Sequence, residues 1–205
     1  MMLRLRPYHI KDAETILSWA KDEKAFYKWT AGVLGTYPLS LEQFHSVSDL
    51  MAFTAIDDND VVGFFTMRRP TASFDELRFG FVIVDANKRG KGYGKQMLQL
   101  GLLYAKEIFG AKKVTLGVFR NNDPAYYCYK TTGFQDVALD EMEKYQVLGE
   151  EWDCLELEMA ENYIANQGKK VVRIHLGGDG FEESKIFYTK HGYVEYRERY
   201  MMKNL

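Results

Sequence analysis

The chain has 205 residues, of which 46% are hydrophobic and 27% charged, and its formal net charge at pH 7 is −2. This composition is that of a globular protein and excludes collagen, coiled-coil and largely disordered classes. The slightly negative charge argues against a nucleic-acid-binding protein that works through a basic field. No apolar run is long enough to span a bilayer, and the first residues contain no signal-peptide core. These two features predict that the protein has no membrane partner. Because two cysteines are too few for a disulfide scaffold, a reducing, cytoplasmic location is expected.

The first half of the chain predicts one strand, two helices and then a run of strands. Residues 2–8 alternate between apolar and basic side chains, as in a short strand. Asp12 is expected to cap the helix that follows it, and Ser40 to cap a second helix over 41–50. Strands are predicted at 51–57, 61–67 and 77–84. The last of these ends in an unbroken apolar run, which suggests burial on both faces.

The second half alternates helices and strands. A helix over 95–109 is expected to end at Gly110, and Pro124 opens another helix that ends before Gly133. Strands are predicted at 112–119, 134–138 and 152–159. Together with the first half, these elements predict an α/β domain over residues 1–160.

Residues 161–205 contain an internal echo. Lys112-Lys113-Val114 recurs as Lys169-Lys170-Val171, and the tyrosine and glycine of 129–134 recur in 188–193. The echo predicts a strand at 170–176, a helix at 182–190 and a strand from Tyr193, as a partial duplication of 112–138. Chance similarity of two short α/β units is the alternative. About 45 residues bury too little apolar surface to fold alone, so packing on the main domain or on a second subunit is expected.

The strongest chemical signal is a glycine-rich turn between the buried strand and the next helix. Glycines 90, 92 and 94 let consecutive backbone N–H groups point into one concavity, where the helix N-terminus adds partial positive charge. A phosphate or pyrophosphate is the natural ligand. The spacing fits neither a Rossmann turn nor a Walker A loop, and a tight connection without a ligand is the alternative. The segment comprises Arg89, Gly90, Lys91, Gly92, Tyr93, Gly94 and Lys95.

Two motifs in succession resemble the GNAT family of N-acetyltransferases. The first is R-x-x-G-x-G, from Arg89 to Gly94, directly after the strand residues Val82, Ile83 and Val84. The second is N-x-x-A-x-x-x-Y-x-x-x-G-F, which is formed by Asn122, Ala125, Tyr129, Gly133 and Phe134. The resemblance covers residues 2–160. It implies a GNAT-type mixed, mostly antiparallel sheet that splays at the motif strand and is flanked by helices, with the strand-helix-strand tail as an extension.

The resemblance further implies acetyl-CoA as the donor and no metal. The pyrophosphate would lie on the amides of residues 90–95, with Asn122 on the CoA side. The pantetheine arm would lie beside Val82, Ile83 and Val84, where a backbone N–H would stabilise the developing oxyanion. Such a donor is typically worth about 3 kcal/mol. The four histidines show no spacing that indicates a metal site.

Tyr129 matches the family tyrosine that protonates the departing CoA thiolate. A phenol, with a pKa of about 10, can donate to a thiolate whose conjugate acid has a pKa of about 8.5; simple helix packing is the alternative. The base is less clear, because the two positions where many relatives have glutamate are occupied by Arg78 and Gly117. Glu76, on the same strand face as Arg78, is the candidate. A water chain, or an amine that arrives neutral, would serve equally well.

The acceptor predicted from this resemblance is a small-molecule amine or a peptide N-terminus. Ten acidic residues and one basic residue, Lys144, lie between Asp136 and Glu161, in a connection that overhangs the acceptor site in the family. They would attract a cation, although a solvated face is the alternative. Aminoglycosides, polyamines and amine metabolites stay open, and a homodimer is compatible with the sequence. The other wall is expected from the aromatic residues Trp19, Phe26, Tyr27, Trp29 and Tyr37.

These features predict an N-acetyltransferase in which the amine attacks acetyl-CoA directly through a tetrahedral intermediate. The alternative is a catalytically degenerate module that binds CoA for sensing or assembly, which the missing glutamates favour and Tyr129 opposes. An unrelated phosphate-binding domain is a third reading, and the second motif argues against it.

Overall fold

The computed structural model describes residues 3–73, 75–160, 171–175, 194–197 and 200–204. The chain divides into two units, Met1–Ile164 and Ala165–Leu205. The first unit carries an eight-stranded sheet and the second a three-stranded sheet. Within the described residues, no helix has the length and apolar character needed to cross a membrane.

The strands of the first unit follow the predicted series with one addition. They are β1 (Arg4–Pro7), β2 (Met51–Asp57), β3 (Asp60–Arg68), β4 (Glu76–Val84), β5 (Lys113–Phe119), β6 (Gln135–Asp136), β7 (Glu143–Val147) and β8 (Glu150–Ala160). Their order across the sheet is β1-β2-β3-β4-β5-β8-β6, and β7 pairs with β8. β7 was not predicted, because its sequence, EKYQV, is mostly polar and gives little strand signal.

Helices accompany this sheet in the positions that the sequence suggests, with one further helix near the start. They are α1 (Ala13–Leu17), α2 (Glu23–Thr30), α3 (Leu41–Phe44), α4 (Tyr93–Phe109) and α5 (Asp123–Thr132). Ser40 caps α3 by accepting a hydrogen bond from the Gln43 N–H at 3.2 Å, as predicted. α2 was not predicted as a separate helix; Asp22 caps it by accepting from the Ala25 N–H at 2.7 Å.

The prediction that Asp12 caps the first helix was wrong. Its side chain makes no capping bond to α1, and its carboxylate instead accepts hydrogen bonds from the Arg6 guanidinium at 2.7 and 2.8 Å and from Thr54 at 3.2 Å. Burial acts to raise the pKa of Asp12, but these bonds and the charge of Arg6 outweigh it and lower the pKa. Asp12 therefore ties the first helical turn to β1 and β2.

The two faces of the sheet are covered by different helices. Phe64 and Phe65 are neighbours on β3 and so project to opposite faces. Phe65 packs in a cluster with Met97 and Leu102 of α4, whereas Phe64 packs with Ile16 of α1 and Phe44 of α3. Both faces of β3 are therefore buried. At the end of β4 only Ile83 is buried, whereas Phe81, Val82 and Val84 are half-buried, so the burial on both faces expected for this apolar run is only partial.

The β4–β5 pair gives the sheet its opening. It is parallel, whereas every other neighbouring pair is antiparallel. Its register covers only the first part of β4, with Glu76, Leu77 and Arg78 opposite Lys113, Val114 and Thr115. Beyond Arg78 the two strands part. This arrangement confirms the predicted mixed, mostly antiparallel sheet that splays at the motif strand.

The second unit contains β9 (Val171–His175), β10 (Val194–Arg197) and β11 (Tyr200–Asn204). They form an antiparallel sheet in the order β10-β11-β9, so the last strand lies between the other two. β9 falls within the strand predicted at 170–176, but the single final strand predicted from Tyr193 is replaced by two. The helix predicted at 182–190 lies outside the described residues.

Candidate active site

A cavity of about 1020 Å³ opens where β4 and β5 part. Segments from α2, β3, β4, β5, the start of α4, α5, β7 and β8 line it. The structure brings most of the predicted site residues to this one cavity: Val82, Ile83, Val84, Arg89, Gly90, Gly92, Tyr93, Gly94, Lys95, Asn122 and Tyr129. Lys91 and Glu76 do not line it. We call the part around residues 89–95 the donor end, and the part around Arg78, Glu143 and Glu156 the acceptor end.

The donor end is a backbone turn that requires glycine. Gly90 and Gly92 have φ angles of 76° and 82°, a left-handed conformation that other residues adopt only with strain. Gly92 caps α4, whose first N–H groups have no partners within the helix. Because α4 is 17 residues long, its dipole adds partial positive charge at this point. These features would let the turn offer amide donors to an anion.

Positive side chains surround the same turn. Arg89, Lys91 and Lys95 are exposed, and in the part of the chain that the structure describes none of them is paired with a carboxylate. Lys88, by contrast, is bound to Asp60 at 2.8 Å. Arg89 and Lys95, which line the cavity, are therefore available to an anion bound there, whereas Lys91 lies outside the lining.

Tyr93 and Gly94 belong to this turn, but their structural roles differ from those of Gly90 and Gly92. The Tyr93 side chain is buried, and its hydroxyl donates a hydrogen bond to Asp57 in the β2–β3 hairpin, so only its backbone faces the turn. A Cβ at Gly94 would lie 3.0 Å from Sγ of Cys128. The third glycine therefore lets α4 pack closely against α5. Burial raises the pKa of the Cys128 thiol, which stays protonated at neutral pH.

β4 contains a bulge at the place where the sheet opens. Ile83 pairs with Phe64 and Gly80 with Thr66, so one residue of β3 faces two residues of β4. Phe81 has a positive φ of 48°, and its carbonyl accepts a hydrogen bond from Nε1 of Trp29 at 2.8 Å. Because a trans peptide directs its N–H opposite to its C=O, the Val82 N–H points away from Trp29.

Tyr129 is held by packing. It is 6% exposed, its ring lies 6.2 Å from that of Phe134, and it lines the cavity. Its hydroxyl has no hydrogen-bond partner among the described residues. Burial raises the pKa of Tyr129 well above that of an ordinary phenol, so it keeps its proton through the physiological range. Asn122 lies about two turns earlier, at the N-cap of α5, and its side chain makes no capping bond.

The acceptor end contains an ion pair that was not predicted. Both guanidinium Nη atoms of Arg78 bond to the Glu156 carboxylate, one of them, Nη2, at 2.9 Å from Oε2. The side chains are 21% and 22% exposed, so the pair is largely shielded. Burial acts to lower the pKa of Arg78, but Glu156 outweighs it and raises the pKa, so the guanidinium stays charged. Glu156 stands opposite Gly117 in the β5–β8 register.

Glu76 lies elsewhere. Its carboxylate is 3.1 Å from Nζ of Lys113, at the end of β4 where the sheet is still closed. The strand parity used to select it was correct, but the cavity begins two residues further along. The role of Glu76 as the base stays a prediction, which this placement does not support.

The acidic segment contributes two of its members to the cavity, Glu143 and Glu156. Glu143 accepts a hydrogen bond from the Tyr145 hydroxyl at 2.8 Å. Among the described residues it forms no ion pair, although its charge contributes to raising the pKa of Arg78. Burial, with a further contribution from Glu143, raises the pKa of Tyr145 to about 12 and that of Cys154 to about 11. Both groups are therefore neutral at pH 7, and Glu143 is the free negative charge at the acceptor end.

The aromatic residues that line the cavity are mostly not the predicted ones. Of the five aromatic residues proposed for the acceptor wall, only Trp29 lines the cavity, whereas Trp19 and Phe26 are buried in the core. In the described residues, no group of three or more His, Cys, Asp or Glu side chains could hold a metal ion.

Comparison with known proteins agrees with this geometry. The model of the acetyltransferase (GNAT) family matches residues 13–134, and the chain belongs to this family. A spermine/spermidine N(1)-acetyltransferase of Bacillus subtilis (strain 168) is 36% identical over 52 residues, which are 25% of this chain and 34% of that protein. The match thus spans about a third of the curated relative.

Solved structures share the fold. The spermidine N-acetyltransferase from Vibrio cholerae in complex with CoA and spermine superposes with a TM-score of 0.67 at 17% identity, over 80% of this chain and 98% of the other. A putative phosphinothricin N-acetyltransferase gives a TM-score of 0.63 at 20% identity, over 78% and 99% of the two chains. At these identities the likeness establishes the fold.

Proposed function

We propose that this protein transfers the acetyl group of acetyl-CoA to a primary amine. The observation that carries the proposal is that four features line one cavity. They are the glycine-rich turn of the donor end, the opening between β4 and β5, Tyr129, and the carboxylates from β7 and β8. An anionic donor and a cationic acceptor thus meet complementary charges in one space.

The donor end would hold the CoA moiety. The amides after Gly90 and Gly92 and the free cations of this turn would bind the pyrophosphate, because α4 directs its unpaired N–H groups there. The pantetheine arm would fill the gap beside Val82 and Val84, with Asn122 at the edge. That the Vibrio cholerae relative was crystallised with CoA supports this assignment.

Two groups would act on the thioester. The Val82 N–H, turned away from Trp29 by the bulge, would donate to the carbonyl oxygen as it becomes negative. Tyr129 would give its proton to the sulfur as the C–S bond breaks. Because burial raises its pKa, the proton would leave only when charge has developed on the sulfur.

The acceptor would be a small molecule that carries at least one further cationic amine. The support is the free carboxylate of Glu143 in the cavity. Spermine is the molecule bound in the Vibrio cholerae relative, and the Bacillus subtilis relative is a spermine/spermidine acetyltransferase. Polyamines are accordingly the first acceptors to test.

The decisive experiment measures acetyl-CoA consumption against a panel of amines. The panel contains spermine, spermidine, propylamine, glycinamide, kanamycin and a tripeptide with a free N-terminus. We expect turnover that is fastest with the polyamines. Tight acetyl-CoA binding by calorimetry without turnover of any amine would instead favour the sensor or assembly module, and failure to bind acetyl-CoA would overturn both.

We further propose that residues 161–205 are a partial GNAT-like repeat that packs on the main domain or on a second copy of the chain. The order β9-β11-β10 supports this, because it repeats the order β5-β8-β6 of the first unit. The repeat would not bind a second CoA, since the glycines at 177, 178 and 180 are followed by Glu182 and Glu183. Truncation after residue 160 should give an aggregating or destabilised protein, detected by light scattering and thermal melting.

A further inference from the structure

Two strand positions at the acceptor end, where many relatives carry a glutamate, have other residues in this chain. Arg78 occupies the β4 position, and Gly117 occupies the β5 position. Gly117 is not required by its backbone, since its φ is not among the positive values. Its place is instead explained by the neighbouring side chains, because a Cβ there would lie 2.9 Å from Nη2 of Arg78 and 3.1 Å from Sγ of Cys154, so Arg78 could not keep its present position. The missing side chain makes room for Arg78 to reach across β5.

Arg78 crosses Gly117 to meet a carboxylate that arrives from β8. Glu156 is registered with Gly117 and lies on the same sheet face, so its carboxylate extends into the space above the glycine. The two-point contact with Arg78 fixes the carboxylate plane. An ionised carboxylate offers about four lone-pair positions, so two stay available after the guanidinium has bound. The pair lines the cavity just beyond Arg78, where β4 and β5 part.

We propose that Glu156 is the general base of the reaction and that Arg78 is its positioning residue. The proposal rests on the proposed function. The amine lone pair forms the C–N bond to the carbonyl carbon, and the nitrogen passes one proton to a free lone pair of Glu156, directly or through one water. The C–S bond then breaks with its electron pair on sulfur, which takes the Tyr129 proton. Glu156 afterwards returns a proton to Tyr129 through solvent, so both groups are restored.

A carboxylate such as Glu156 is a suitable base only after the amine nitrogen has bonded to the carbonyl carbon. A free aliphatic ammonium, with a pKa of about 10, would not yield its proton readily to a carboxylate. Once nitrogen has bonded to the carbonyl carbon, its proton becomes far more acidic, and a carboxylate can accept it. Removal of that proton prevents the amine from leaving again. Arg78 meanwhile stays charged and holds the Glu156 carboxylate in place between turnovers through its two-point contact.

The test compares Glu156→Gln with Glu158→Gln, both measured with acetyl-CoA and two acceptors. Glu158 lies two residues along β8 on the same face but does not line the cavity. The acceptors are propylamine, with a pKa of about 10, and glycinamide, with an α-amine pKa of about 8. We expect Glu156→Gln to lower kcat on the order of 100-fold with propylamine and clearly less with glycinamide, whose more acidic nitrogen loses its proton to water more readily. Glu158→Gln should retain wild-type kcat.

Calorimetric affinity for acetyl-CoA should be the same in both variants, because the donor end is untouched. If the unpaired Arg78 destabilises Glu156→Gln, the double variant Arg78→Gln/Glu156→Gln, which leaves no lone charge, should show the same loss of kcat. Glu156→Asp, which keeps the carboxylate, should recover part of the rate.

Three results would overturn the assignment: undiminished kcat in Glu156→Gln, an equal loss in Glu158→Gln, or the same loss with both amines, which would indicate a merely structural ion pair. A wild-type protein that acetylates no amine overturns the proposed function together with this role. An active wild type matched by Glu156→Gln overturns the role of Glu156 alone.

Discussion

The donor end of the cavity is one continuous piece of chain, residues 89–95, whereas the acceptor end is gathered from four strands. Arg78 comes from β4, Gly117 from β5, Glu143 from β7 and Glu156 from β8. The donor end works through its backbone, because amides and a helix terminus offer the same donors whatever side chains they carry. The acceptor end works through side chains brought together by strand register.

This difference has a consequence for how the two ends respond to substitution. At the donor end, a change matters when it alters the path of the backbone or fills the space beside it. At the acceptor end, a change should matter when it alters charge or reach, because the roles proposed for Glu156 and Glu143 depend on their carboxylates. Substitutions at the first end should therefore affect acetyl-CoA affinity, and substitutions at the second should affect turnover and acceptor KM.

The largest effect is expected at the donor end, from Gly92→Val. A valine at φ 82° is strained, and its branched side chain would stand where the pyrophosphate meets the amides. We expect the acetyl-CoA Kd, measured by calorimetry, to rise 100-fold or more. Gly110→Val is the matched control, because Gly110 has a φ of 66° and ends the same helix away from the cavity. Equal affinity in the two variants would show that the turn does not bind CoA.

Tyr129→Phe should lower kcat about 100-fold while acetyl-CoA affinity is unchanged, because only the proton donor is removed. Tyr126→Phe is its control, since the Tyr126 hydroxyl bonds to Asp136 and does not line the cavity. Burial raises the pKa of Tyr129, so its deprotonation moves to higher pH. The kcat profile of the wild type should therefore show no fall near pH 10. Such a fall, or full activity in Tyr129→Phe, would contradict the acid role.

The same contrast explains what the sequence could predict. Residues 89–95 and Tyr129 were found because their spacing along the chain is itself the signal, and the structure brings all of them except Lys91 to one cavity. The Arg78–Glu156 pair joins residues 78 positions apart. Whether these two side chains meet depends on the β5–β8 register and on the sheet face to which each side chain projects. Neither can be predicted from the residues near Arg78 or Glu156 in the sequence. Gly117 was interpreted only as a position without glutamate, although a glycine on a strand can also indicate that a neighbouring side chain occupies the space above it.

An intermediate effect is expected from Glu143→Gln at the acceptor end. It removes the free negative charge of the cavity but keeps the size of the side chain and the bond from Tyr145. We expect the KM for spermidine to rise at most about fivefold, because Glu143 is exposed and an exposed charge contact contributes up to about 1 kcal/mol, and we expect the KM for propylamine to stay the same.

Glu141→Gln changes the net charge equally, and Glu141 does not line the cavity. It should therefore leave both KM values close to wild type. A similar rise in both variants would point to long-range attraction by the acidic segment, whereas no rise in either would mean that Glu143 does not contact the acceptor.

A small effect is also expected from Trp29→Phe, which tests the link between α2 and the β4 bulge. The substitution removes the donor that bonds to the Phe81 carbonyl at 2.8 Å. A neutral hydrogen bond contributes about 1 kcal/mol, so the melting temperature should fall by about 2–4 °C. Trp19→Phe is the matched control, because Trp19 belongs to the apolar cluster of Ile16 and Phe44 against which Trp29 packs but does not line the cavity. It should also lower the melting temperature. Only Trp29→Phe should lower kcat, about fivefold, because the freed peptide would let the Val82 N–H turn away from the carbonyl oxygen that we propose it stabilises. Equal kcat in the two variants would mean that Trp29 supports the core alone and that the oxyanion donor lies elsewhere on β4.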